Sequence, residues 1–154
     1  MDTGTAAGRN RRGPAGQGIW AGAAYDRRPG AIAEARSFMA GFLERARTEH
    51  GVEVPEQADA DAQLVVSELV TNAFKYAPGP CALDLEIRGP LLEITLWDTN
   101  TALPMARAAE PGRIGQHGLE IVFAVADGFD VRREPVGKRI TVTLALGPIG
   151  PFDV

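Results

Sequence analysis

Apolar and polar positions alternate along this chain with two distinct periods, and their order predicts the fold. From Ala31 to His50 the apolar set Ile32, Ala35, Phe38, Met39, Phe42, Leu43 and Ala46 recurs at helical spacing. Pro29 stands where a first helical residue tolerates proline, and Gly51 supplies a C-cap. A second helix opens at Pro55 and runs to about Ala77, where Pro78-Gly79-Pro80 stops it. Strand periodicity follows. Leu83, Leu85 and Ile87 alternate with polar neighbours, which predicts strands over Cys81–Arg88 and Leu91–Asp98 joined by a Gly89-Pro90 hairpin. Residues 118–126 read as a short helix, and residues 128–134 and 139–146 as two closing strands around a Pro135-Val136-Gly137-Lys138 turn. Ile19 to Tyr25 reads as a short first strand. Helices laid on one face of a mixed, mostly antiparallel sheet make a two-layer α/β sandwich.

The segments without a period set the boundaries. Residues 1–17 are rich in Gly, Arg and Ala, which predicts a disordered tail, with Arg9, Arg11 and Arg12 as the basis of a basic docking arm in the alternative. One folded domain is expected over 18–148, followed by a short tail at 149–154. Residues 99–114 carry Pro104, Pro111 and Gly112 and show no period, so they read as a long loop of the kind that usually has a function.

Composition narrows the classes of function. The 154 residues are 45% hydrophobic, enough for one ordinary core, and the net charge of −4 disfavours nucleic acid or an anionic membrane as the main partner. Cys81 is the one cysteine, so no intrachain disulfide forms and a reducing cytoplasm is the expected compartment. His50 and His117 lie far apart, without companions at metal-ligand spacing. No apolar run approaches the roughly 20 residues of a membrane span, and no signal-peptide pattern opens the chain.

The second helix carries the candidate chemistry. At about 100° per residue, Val65, Val66, Leu69, Val70, Ala73 and Tyr76 fill one broad arc facing the sheet. Glu68, Asn72 and Lys75 fall together beside it, at the edge between core and solvent. That flank is either an ordinary polar border or a ligand site. A neutral amide oxygen on Asn72 suits a hard cation that keeps most of its waters, as Mg²⁺ does beside phosphates. Glu68, one turn earlier, can orient or deprotonate an attacking hydroxyl, and Lys75 can offset phosphate charge.

Asp98 ends an otherwise apolar strand and serves either as a turn cap or as an acceptor for an exocyclic amine such as that of adenine. Gly115 and Gly118 flank a helix start, where backbone N–H groups can approach phosphates. His117 between them reads as a local hydrogen-bonding residue. Arg107 and Arg113 are loop arginines that solvate or reach phosphate. No Walker-type loop occurs.

Taken together, Glu68…Asn72-Ala73 resembles the N box of the GHKL ATPase superfamily, Asp98 the aspartate of its first glycine box, and Gly115-x-x-Gly118-Leu119 its second. The resemblance spans roughly residues 25–146 and implies the Bergerat (GHKL) fold. Glu34-Ala35-Arg36-x-Phe38 and Ser67-Glu68-Leu69-Val70-Thr71-Asn72-Ala73 look most like the anti-sigma-factor serine kinases of bacteria, and the Ala, Gly and Arg content like members from actinobacteria. The resemblance implies ATP with Mg²⁺ as cofactors, bound between the helical layer and a lid at 99–114. It makes Glu68 the catalytic base and Asn72 the Mg²⁺ ligand. Asp98 becomes the adenine acceptor, and Lys75, Gly115, His117, Gly118 and Leu119 join the nucleotide-binding set.

The implied partners are a sigma factor and a small anti-anti-sigma (STAS-type) protein whose serine is phosphorylated, with a homodimer as the expected assembly. After Asp98 stands Thr-Asn-Thr-Ala in place of the superfamily's D-x-G-x-G, which motivates the alternative of a catalytically inactive partner-binding module. Lys75-Tyr76 also resembles the N box of sensor histidine kinases, in which the place of Glu68 is usually Asn.

Overall fold

The computed structural model describes residues 18–77, 79–99 and 116–147, with the backbone alone for 116–118. The predicted tail over 1–17, Pro78, the loop body from residue 100 onward with Arg107 and Arg113, Gly115 and the last residues from 148 lie outside the described residues.

In chain order the elements are β1 (Ile19–Tyr25), α1 (Ala31–His50), α2 (Glu56–Tyr76), β2 (Cys81–Arg88), β3 (Leu91–Asp98), α3 (Gln116–Val125), β4 (Gly128–Arg133) and β5 (Lys138–Ala145). The strands form one five-stranded sheet in the order β1-β2-β3-β5-β4. Every pairing among the described residues is antiparallel, in keeping with the mostly antiparallel sheet expected from the sequence. Two junctions also differ. Pro29 lies in the turn before α1, whose N-cap is Gly30 at φ 88. Lys138, expected in the closing turn, is the first residue of β5. That turn is closed one residue earlier, by the Glu134 N–H donating to the Gly137 carbonyl at 2.9 Å.

Each element forms for a legible reason. Gly51 at φ 67 takes the left-handed C-cap of α1, and Pro55 in extended conformation precedes the first turn of α2. Gly89 at φ 59 and Pro90 make a two-residue hairpin with glycine at the position that needs positive φ. On the sheet, Leu83, Leu85 and Ile87 of β2, Leu92, Ile94 and Leu96 of β3, and Ile140, Val142 and Leu144 of β5 are buried on the face the helices cover. Met39, Phe42 and Leu43 of α1 and Val65, Val66, Leu69 and Val70 of α2 close the core from above. Burying each such side chain contributes about 1.5–3 kcal/mol before the entropy of ordering it.

α2 is the central helix, packed between α1 and α3. Arg47 ties the connection leading into it, donating to the Val54 carbonyl at 2.8 Å and pairing with Asp59 at 3.0 Å. The opposite parity of the sheet carries Asp84, Glu86, Glu93, Thr95, Thr141 and Thr143, a polar face. Among the described residues no helix is long and apolar enough to cross a membrane.

Candidate functional site

The topology brings the sequence-predicted residues to one end of the sandwich. Ala82 of β2 pairs with Trp97 of β3, so the start of β2 and the end of β3 lie side by side. α2 stops at Tyr76, a few residues before β2 begins, so its last turns sit over that same end. Asp98 is register partner of Lys138, which brings the start of β5 there too. α3 delivers the chain to Gly128, whose partner Thr143 lies toward the far end of β5, so the N-terminus of α3 faces the site end.

On α2 the three polar residues are graded by depth. Asn72 is buried at 7% exposure on the core side of the helix, Glu68 is half-buried one turn earlier, and Lys75 is exposed. The sequence placed all three together at the boundary; in the structure they differ in depth. Leu119 of α3 is buried and anchors the first turn of that helix. His117 and Gly118 fall in the same turn, with their side chains outside the described residues, and Gly115 lies outside altogether.

Asp98 is the deepest carboxylate of the site. Its side chain and that of Lys138 are 1% and 2% exposed, and the ammonium donates to both carboxylate oxygens at 3.1 and 2.9 Å. Sequence reasoning missed Lys138. The signal was present: Ile140, Val142 and Leu144 face the core, so the same parity aims Lys138 inward. Gly137 before it has φ 91, and a Cβ there would overlap the Asp98 carbonyl oxygen. The turn thus lies directly against the end of β3, and only glycine fits.

Two further residues shape this end. Arg27 donates to the carbonyl of Phe74 and, at 2.9 Å, to that of Ala77, satisfying acceptors left open where α2 stops. Its guanidinium therefore fixes the end of the helix that bears Asn72. Arg27→Ala is expected to lower stability by about 1–3 kcal/mol in urea unfolding; an unchanged midpoint would deny the capping role.

Cys81 opens β2 and is buried, and burial together with the nearby Asp98 charge pushes its thiol up to about 12. The thiolate is the nucleophile, so iodoacetamide at pH 8 should modify folded protein at least about a hundredfold more slowly than urea-unfolded protein. The raised value also gives a sign. Its stabilisation is complete below the unfolded thiol's pKa of about 8.5 and is lost as pH rises toward 12.

The donor set fits Mg²⁺ held jointly by protein, phosphates and water. No group of three or more His, Cys, Asp or Glu side chains that could hold a metal occurs among the described residues. What α2 offers is the Asn72 amide oxygen, a hard donor that would complete a hydrated cation without caging it.

A sensor histidine kinase, Hik2 of Thermosynechococcus vestitus, is 40% identical over 81 residues, covering 47% of this chain and 20% of that protein. The chain thus spans about a fifth of the relative's length. Among solved structures, the histidine kinase domain of a blue-light activated histidine kinase from Erythrobacter litoralis aligns at TM-score 0.48 and 18% identity, covering 73% of this chain and 61% of that one. The model of the family described as the histidine kinase-like ATPase domain matches residues 26–144, from the turn before α1 to the penultimate residue of β5. Those residues hold Glu68, Asn72, Asp98 and both glycines. The chain belongs to the histidine kinase-like ATPase domain family and is a GHKL-type ATP-binding module.

Proposed function

We propose that this module is a protein-serine kinase that transfers the γ-phosphoryl group of Mg-ATP to a small STAS-type anti-anti-sigma protein and sequesters a sigma factor when that protein is phosphorylated. The observation that carries this reading is Glu68, a half-buried carboxylate one turn before the buried Asn72 on the same helix. A kinase acting on a hydroxyl needs a base within the active site to take the proton. Asn72 would hold Mg²⁺ with the phosphates, Asp98 would accept from the base, and the N-terminus of α3 would face the phosphates. ATP supplies the transferred group; the chain's own residues orient it and receive the proton at a Glu68 oxygen.

The identity to a sensor histidine kinase favours a second reading, in which the module phosphorylates a histidine on a separate helix. The two readings differ in product. Incubation with γ-labelled Mg-ATP and a STAS-type protein should give an acid-stable, base-labile phosphoserine on that protein. An acid-labile label, or none on the STAS protein, would sink the serine-kinase reading. Asn72→Ala should abolish Mg²⁺-dependent ATP binding in calorimetric titration, and unchanged affinity would remove its metal role.

A further inference from the structure

The sheet face turned away from the helices is divided in charge. Among the described residues, its β2–β3 half carries Asp84, Glu86 and Glu93 against Arg88, whereas on its β5–β4 half Arg132 and Arg139 outnumber Asp130. Glu86 and Glu93 are register partners, so two carboxylates stand side by side across the strands, an arrangement that costs stability without a cation between them. Arg88 donates to Glu86 at 2.6 Å from a side chain that is mostly exposed, and Glu93 is itself exposed. A hollow of about 400 Å³ opens here, lined by Glu86, Arg88, Gly89, Pro90, Leu91 and Glu93.

The chain enters the fold at this same place. A Cβ on Gly18, just before β1, would come within 3.2 Å of a Glu86 carboxylate oxygen. Trp20, next on that face, is the register partner of Glu86, and its buried indole N–H has no acceptor among the described residues. A backbone carbonyl of a segment laid on this face would supply one. Residues 1–17 hold Arg9, Arg11 and Arg12 against a single acid, Asp2. The chain from Arg12 to Gly18 can span up to about 20 Å, while Glu93 lies two strand spacings from β1, about 10 Å.

We propose that the acidic half of this sheet face is a docking surface for the chain's own arginine-bearing segment, residues 9–12. A guanidinium presents a planar fork that can bridge two carboxylates, and it would seat at the hollow between Glu86 and Glu93. The short tether holds the segment at an effective concentration in the millimolar range.

Trypsin cuts after Arg9, Arg11 and Arg12, so docking reads out as protection of those bonds in the full chain, followed by mass spectrometry. At low salt the wild type should be cut there about five- to tenfold more slowly than Glu93→Lys, with Glu93→Gln between the two. Salt at about 0.5 M should bring the wild type to the Glu93→Lys rate. Asp130→Asn removes a carboxylate from the same face at the far edge of the sheet and should match wild type.

Equal cleavage of wild type and both Glu93 variants overturns the inference. Protection that grows with protein concentration overturns it too, because a second copy's segment would then be the occupant. If Asp130→Asn is cut as fast as Glu93→Lys, the effect is one of overall charge and the docking surface is wrong. Should Glu93→Lys not fold, as a thermal melt will show, Glu93→Gln and Asp130→Asn decide.

Discussion

Glu68→Gln is expected to slow phosphotransfer by about 10²- to 10⁴-fold while Mg-ATP affinity stays within about threefold. The amide has the shape of the carboxylate and cannot take a proton, so it separates the base from any role in packing. Glu68 is suited to such a separation. It is half-buried on α2, beside rather than within the run of Val65, Val66, Leu69 and Val70 that closes the core. Single-turnover transfer from labelled ATP gives the rate and calorimetry the affinity. Transfer at the wild-type rate would end the base assignment. Parallel loss of transfer and of ATP affinity would make Glu68 part of the binding surface instead.

The second large effect concerns stability. Lys138→Ala is expected to cost about 3–5 kcal/mol, because it takes the ammonium away from an Asp98 carboxylate only 1% exposed. The double variant Asp98→Leu with Lys138→Met should recover most of that loss. A buried pair exchanged for apolar side chains of similar size is often neutral or stabilising. Urea unfolding of the two variants, compared at equal slope, reads the difference. A single variant within about 1 kcal/mol of wild type would mean that water or another group replaces the ammonium. If the double variant folds and no longer binds nucleotide, the pair is retained for recognition rather than for stability.

Much of this was legible in the sequence because the periods were clean. Ala31–His50, Cys81–Arg88 and Leu91–Asp98 appear in the structure with the boundaries expected from apolar spacing and from Gly51 and Gly89-Pro90. The misreadings fall at junctions. Lys138 was assigned to a turn because Pro135 and Gly137 punctuate that stretch, and strand pairing to Asp98, forty residues away, overrides the local signal. Depth was the other gap. A helical wheel places Asn72, Glu68 and Lys75 in one sector, and it cannot know how deeply tertiary packing will bury each of the three. Arg27 gave no periodic signal at all, since its partners Phe74 and Ala77 are backbone carbonyls roughly fifty positions on.

The strand order has a consequence for synthesis. β3 sits in the middle of the sheet, yet the neighbour that completes it, β5, is made last. While the chain emerges from a ribosome, everything through Asp98 is available before Lys138 exists. The nascent β1-β2-β3 sheet then presents the outer edge of β3, with Leu92, Ile94 and Leu96 beside it, as an open pairing surface. Translation at about 5–20 residues per second leaves that edge bare for seconds. Closing the gap between Asp98 and Lys138 is entropically mild, since doubling a loop costs only about 0.6 kcal/mol. The connection between β3 and α3 can therefore vary in length at little thermodynamic expense, whereas a chain cut anywhere before β5 is left with an unsealed hydrophobic edge and an Asp98 without Lys138.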